Sequence, residues 1–252
     1  MDKKRFYSLL YLVCLVLLIN SLPFSLIIES KLILFIINII IKVISIFYIL
    51  HYIKKEELNN IKKEKLAKDS IKLLPLLLLC GSNFVVVFIQ SASIKADIDI
   101  FSIISGLIVS VGVGIIEELL FRGQVLEELL KHKNKFIALI YSSIIFGMVH
   151  LLNITLSNIP IVLAQCAYTA FLGLVLGFIY ISTKNIYLPI IFHILFNFLN
   201  DILVVQLFNL KWDLTFFLIN ILIGLLLSAY IYFAYIFKKK EGIKHASEHM
   251  DN

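Results

Sequence analysis

The sequence predicts an all-α, polytopic membrane protein, a bundle of about eight spanning helices with both termini cytoplasmic. Hydrophobic residues make up 60% of the 252 residues and the mean hydropathy is +0.97, well above the roughly 45–50% apolar content of soluble domains. Apolar runs of about 18 residues or more recur along the whole chain, the length that reads as a membrane span. The basic residues fall between these runs with a regular bias to alternate gaps, as positive-inside topology requires.

The first span lies near 7–28. Lys3, Lys4 and Arg5 precede it like the head of a signal peptide, but Asn20-Ser21-Leu22-Pro23-Phe24 offers no small-x-small cleavage site, so an uncleaved span is expected. The second and third spans lie near 32–52 and 73–91. The segment between them mixes lysines with Glu56, Glu57, Glu64 and Asp69 and reads as a solvated amphipathic helix. The fourth, fifth and sixth spans are placed near 101–126, 136–152 and 160–181, and the last two near 186–208 and 214–237. Residues 241–252 read as a short polar cytoplasmic tail. No internal repeat or separate soluble domain is seen, so 1–252 is one membrane domain.

With the N-terminus inside, the cytoplasmic segments hold nineteen of the 23 Lys and Arg residues. Only Lys31, Lys95 and Lys211 fall outside, and Lys42 lies within the second span. The net charge of +6 thus orients the chain in a lipid bilayer and does not point to nucleic acid. Cys14, Cys80 and Cys166 are far apart in apolar runs; they read as small core residues, not as a disulfide framework or metal ligands. Nothing in the sequence sets the oligomeric state.

The fourth span carries Glu117, Glu118 and Arg122 inside an apolar run. Insertion scales put Asp, Lys or Arg at a helix centre at roughly 2.5–3.5 kcal/mol each, so charges there persist where they pair or work. Glu118 and Arg122 are i and i+4 with Glu first, the better order for an ion pair. Glu117 points about 100° away, without a local counter-charge. Geometry therefore assigns Glu118 and Arg122 to structure and Glu117 to chemistry. Glu127 and Glu128, by contrast, have Lys131 and His132 at i+4 and read as a solvated helix face.

The next polar-bearing span puts Phe146 and His150 on one face with Asn153 close by, and the seventh does the same with His193 and Asn197, Asp201 following one turn on. One shared cavity accounts for all three groups. Gly106, Gly112 and Gly114 thin the fourth helix, and Gly173 with Gly177 makes a GxxxG on the sixth; both read as packing sites.

Glu117-Glu118-x-x-x-Arg122, Phe146-x-x-x-His150 and His193-x-x-x-Asn197, in this order, resemble the three motifs of the CPBP intramembrane proteases, the family of CAAX prenyl endopeptidases and of bacteriocin-processing or immunity (Abi) proteins. The resemblance covers 101–200, the expected catalytic core. It implies that Glu117 and His150 activate a water, and that His193 and Asn197 stabilise the oxyanion of a tetrahedral intermediate. Proton transfer to carboxylate and hydrogen-bond donation to developing charge suit those residue types. A zinc ion held by Glu117, His150 and His193 is the alternative; the chain has no HExxH, and a glutamate-based reaction without a required cofactor is favoured. The implied partner is a peptide or protein substrate, in a bacterial plasma membrane a leader or pheromone peptide.

The absence of GxSG, GxGD and HExxH motifs sets aside the other intramembrane protease types. A transporter or proton relay would call for an inverted repeat or paired broken helices, which the sequence lacks. A non-enzymatic immunity or scaffold protein is the remaining alternative. One tension stands: the expected spans put His150 near the outer end of the fifth helix but Glu117 and His193 in the cytoplasmic half. The fifth helix must start deeper, or a helix must be tilted or broken.

Overall fold

Eight helical segments follow one another in the computed structural model, which describes residues 3–22, 24, 27–53, 68–154, 159–211, 214–231 and 233. They are α1 (Lys3–Asn20), α2 (Lys31–Tyr52), α3 (Ser82–Ile89, continuing a 3-10 stretch Lys68–Gly81), α4 (Ile100–Leu130), α5 (Lys135–Asn153), α6 (Ile159–Thr183), α7 (Tyr187–Leu207) and α8 (Leu214–Ile231). Among the described residues the one β feature is an isolated bridge between Ile94 and Phe208. Five helices, α2 and α4 to α7, are long and apolar enough to cross a membrane, and the apolar stretches in α1, α3 and α8 are shorter. The first span ends at Asn20, short of the expected 28, and α4 runs on to Leu130, past the expected 126. The 54–67 segment and the 241–252 tail, read from sequence as a solvated helix and a polar tail, lie outside the described residues.

Local sequence explains the helix starts. Ser30, Asp99 and Asn134 each accept a backbone N–H three residues on, capping α2, α4 and α5. Pro160 and Pro189 fall in the first turns of α6 and α7, where no N–H is needed. Asp99 also takes a 2.9 Å bond from Lys31, and these bonds, with those from Ser102, hold its carboxyl down at about 2. Lys31, Lys95 and Lys211, the three basic residues placed on one side by the sequence, gather at one end of the bundle. Lys95 N–H meets the Leu207 carbonyl at 2.8 Å, and Lys211 exchanges bonds with Gln90.

The outer faces are apolar, with Phe47, Phe88 and Leu226 among many exposed hydrophobic side chains, as expected where lipid is the solvent. Cys80 is buried and Cys166 half-buried, but Cys14 faces outward, contrary to its expected core position, because Leu12, Val13 and Val16 take the inward face of α1. Inside, α5 lies closely along α6. A Cβ at Gly173 would come 3.0 Å from Ser143 Cα, and one at Gly147 would overlap the Cys166 carbonyl oxygen. The GxxxG and its partner glycine thus bring two backbones together, as small residues do in membranes. Gly147→Ala is expected to cost about 1–3 kcal/mol through this backbone clash. Gly81→Ala, where a Cβ meets nothing within 4 Å, should unfold in detergent like the wild type; equal loss in both would refute the packing account.

A buried asparagine cluster ties α3, α7 and α8. Asn200 Oδ1 accepts from the Asn83 backbone N–H at 3.0 Å, Asn200 Nδ2 donates to the Leu79 carbonyl at 2.9 Å, and Asn220 Nδ2 donates to Asn83 Oδ1 at 2.9 Å. Where no water competes, such bonds fix how one helix is rotated against another. α7 is thereby clamped just beyond Asn197.

Candidate active site

Each of the three motifs sits where a helix departs from α geometry. Phe121–Leu126 forms a π-helical stretch that contains Arg122, Val149–Asn153 tightens to 3-10 around His150, and Asn197–Leu203 is again π. π segments inside α-helices are frequent at functional sites. The tension over His150 is relieved by the length of α4. Glu117 stands 13 residues before Leu130, and His150 stands 15 residues after Lys135; at 1.5 Å per residue both lie roughly 20 Å from the α4–α5 turn. Ending the fourth span at 126 caused the apparent mismatch between Glu117 and His150.

Arg122 Nη1 donates to Glu118 Oε1 at 2.9 Å, the expected i,i+4 pair, and both side chains are all but fully buried. Arg122 Nη2 donates to the Gly173 carbonyl at 3.0 Å, and its guanidinium lies 4.6 Å from the centre of the Phe146 ring. Phe146 is the hub of the three motifs. It meets His150 and His193 edge-on, each at 5.8 Å, and Phe121 at 5.0 Å.

Glu118 does more than pair with Arg122. Its Oε1 also lies 2.8 Å from His193 Nδ1, a bond in which the imidazole donates and the carboxylate accepts. No sequence signal joins residues 75 apart; only the spare acceptor capacity of a carboxylate hinted at a second partner. The other ring nitrogen, Nε2, faces Glu117 Oε2 at 3.7 Å. His150 Nδ1 stands 3.2 Å from the Phe146 carbonyl and 3.5 Å from Thr169 Oγ1.

A cavity of about 100 Å³ is lined by Glu117, His150, His193 and Asn197 together with Phe146, Gln165, Tyr168, Thr169 and Asp201. The four residues singled out as reactive therefore meet in one space. Asn153 does not line it; this exposed side chain, 3.4 Å from Gln165 Oε1, borders a second cavity of about 160 Å³. Glu117, His150 and Val113 line both. Sequence reasoning missed Thr169 and Gln165 of α6, whose neutral side chains carried no signal.

Glu127 and Glu128 are not the solvated face expected. Glu127 accepts from the Tyr180 hydroxyl at 2.7 Å and pairs with Lys184 at 3.3 Å, while Glu128 is buried between Lys131 and His132. α6 covers this face, which the local pattern of α4 does not reveal. Glu117, His150 and His193 form no metal-holding group, and among the described residues no three His, Cys, Asp or Glu side chains do.

The profile of a family described as type II CAAX prenyl endopeptidase Rce1-like matches residues 99–199, the stretch holding all three motifs. A Bacillus subtilis (strain 168) protein named "Putative membrane peptidase YdiL" is 31% identical over 180 residues, which cover 64% of this chain and 67% of that protein. The chain belongs to the CPBP family. As a CPBP protein it is an integral, multi-pass membrane protein of a family of CAAX-type intramembrane proteases. No solved structure matches it.

Proposed function

We propose that this CPBP protein is an endopeptidase that hydrolyses a peptide bond of a membrane-associated substrate by glutamate-based water activation. The observation that carries the reading is the convergence of Glu117, His150, His193 and Asn197 on one cavity. Glu117 takes the proton of a water that His150 helps to hold, and the resulting hydroxide attacks the scissile carbonyl. Negative charge then develops on the carbonyl oxygen, within reach of His193 and of the Asn197 amide, and as the intermediate collapses the C–N bond breaks while Glu117 passes its proton to the leaving amine.

The tautomer of His193 follows from Glu118. With Nδ1–H committed to the Glu118 carboxylate, a neutral ring has only a lone pair on Nε2 and cannot donate to an oxyanion. The oxyanion role therefore requires the imidazolium, flanked by Glu118 on one side and Glu117 on the other. Glu118 acts as the positioning partner that fixes the ring with Nε2 toward Glu117, and Arg122 keeps Glu118 from turning away. No step runs through a metal ion.

We also propose that both termini face the cytoplasm, on the strength of the basic-residue bias, and that substrate reaches the cavity from that side or laterally from the inner leaflet. The test of function is cleavage of internally quenched, membrane-anchored peptides by the purified full chain in vesicles, with product masses read in ¹⁸O water. One ¹⁸O in the new carboxyl is expected. Asn197→Ala should lower the rate about 10²–10³-fold, the loss typical of one oxyanion donor. Cleavage unaffected by Asn197→Ala would remove that residue from the mechanism, and the absence of any cleavage would favour an immunity or scaffold role.

A further inference from the structure

Glu117 was expected to stand without a local counter-charge, and on its own helix Arg122 is in contact with Glu118 instead. The neighbouring helix supplies one. Lys42 is on α2, which packs along α4. It is only 7% exposed, and its hydrogen bond to Asn38 Oδ1 is a long 3.5 Å. A buried ammonium held so weakly is costly unless a carboxylate offsets it.

The carboxylates available to it are few. Glu118 is taken by Arg122 and His193. Glu117, whose Oε2 lies 3.7 Å from His193 Nε2, lines the same 160 Å³ cavity as Lys42 and acts on it electrostatically. Among the described residues no ion pair within 4 Å joins the two, so they share the cavity without direct contact of their charges. The route of the Lys42 stem is built into α4. A Cβ at Gly112 would come within 2.6 Å of Lys42 Cδ, so the glycine opens the slot along which the ammonium is laid, five residues before Glu117.

We propose that Lys42 is the positioning residue and counter-charge of Glu117, contributed by a helix outside the 99–199 segment that the family profile matches. Two carboxylate–cation pairs then flank the site, Glu118 with Arg122 in contact and Glu117 with Lys42 at a distance, and His193 lies between the two carboxylates. The first is locked; the second leaves its carboxylate free to move a proton. The role of Lys42 in turnover rests on Glu117 being the base, whereas the pairing itself does not.

Two measurements separate these. In the peptide assay, Lys42→Ala should lower kcat about 10–100-fold with KM within about threefold, Lys42→Arg should keep most activity, and added ethylammonium should restore part of the rate of Lys42→Ala by occupying the vacated slot. A merely structural lysine would not be rescued by a small cation. Wild-type kcat in Lys42→Ala, or loss shared by Lys42→Arg without amine rescue, overturns the turnover role. The second measurement needs no activity: thermal unfolding of Lys42→Met, a near-isosteric variant, in the Glu117 and Glu117→Gln backgrounds. The loss of Tm should be larger when Glu117 is intact, since only then is a counter-charge removed. Equal losses overturn the pairing, whatever the chain hydrolyses.

Discussion

Glu117→Gln is expected to lower peptide hydrolysis about 10²–10⁴-fold, the range general acid–base groups contribute, while the protein still folds and inserts. The amide keeps the shape of the carboxylate and its place beside His193 Nε2, but it cannot accept the proton of water. Glu117 is only partly buried, at 18% of its side-chain surface, so removing its charge should cost less stability than removing the fully buried Arg122, although it leaves Lys42 without its counter-charge. Kinetics of the reconstituted variant with the peptide substrates decide the matter. A rate within threefold of wild type would transfer the base role to another group of the cavity, with His193 Nε2 the first to test by His193→Gln.

Arg122→Met should do the reverse and damage the fold first. The guanidinium is about 1% exposed and joins α4 to α6 through Gly173, to α5 through the Phe146 ring and to Glu118 within its own helix. Removing one partner of a buried pair leaves an uncompensated charge, typically about 3–5 kcal/mol. The Phe146 contact adds about 0.5–2 kcal/mol to what is lost. Unfolding in detergent micelles should show the loss, and a change under about 1 kcal/mol would mean that His193 alone suffices to neutralise Glu118. Activity should fall as well, since His193 loses its fixed partner.

The parts of this architecture legible in the sequence are those decided locally. Helix positions follow from apolar run length and from Ser30, Asp99 and Asn134 as caps, and the Glu118–Arg122 pair follows from i,i+4 spacing. The division between Glu117 and Glu118 follows from the 100° between neighbours. What stayed hidden depends on how helices are rotated and leaned against one another. The His193–Glu118 bond, the approach of Lys42 past Gly112 and the cover that Tyr180 gives to Glu127 are of that kind. A lysine inside the second span was visible from the first; its direction was not, because a single helix does not say which neighbour it meets.

The changes of helical pitch at the motifs were invisible for another reason. No proline or glycine lies within 197–203, so nothing in its composition marks the π stretch. That stretch is held from outside, by the Asn83–Asn200–Asn220 cluster.

A π stretch takes up one residue more than the α-helix it interrupts, since its hydrogen bonds run i→i+5. The turns before and after it are therefore out of phase, and one wheel cannot be drawn through the whole of α4 or α7. Phe121–Leu126 and Asn197–Leu203 act as splices between two separately timed halves. In α7 the leading half carries His193 to Glu118 and Glu117, and the trailing half brings the Leu207 carbonyl to the Lys95 N–H. Each half keeps its own partners because the splice absorbs the angular mismatch between them. A membrane protein made this way can anchor one end of a helix rigidly without dictating the aim of the other.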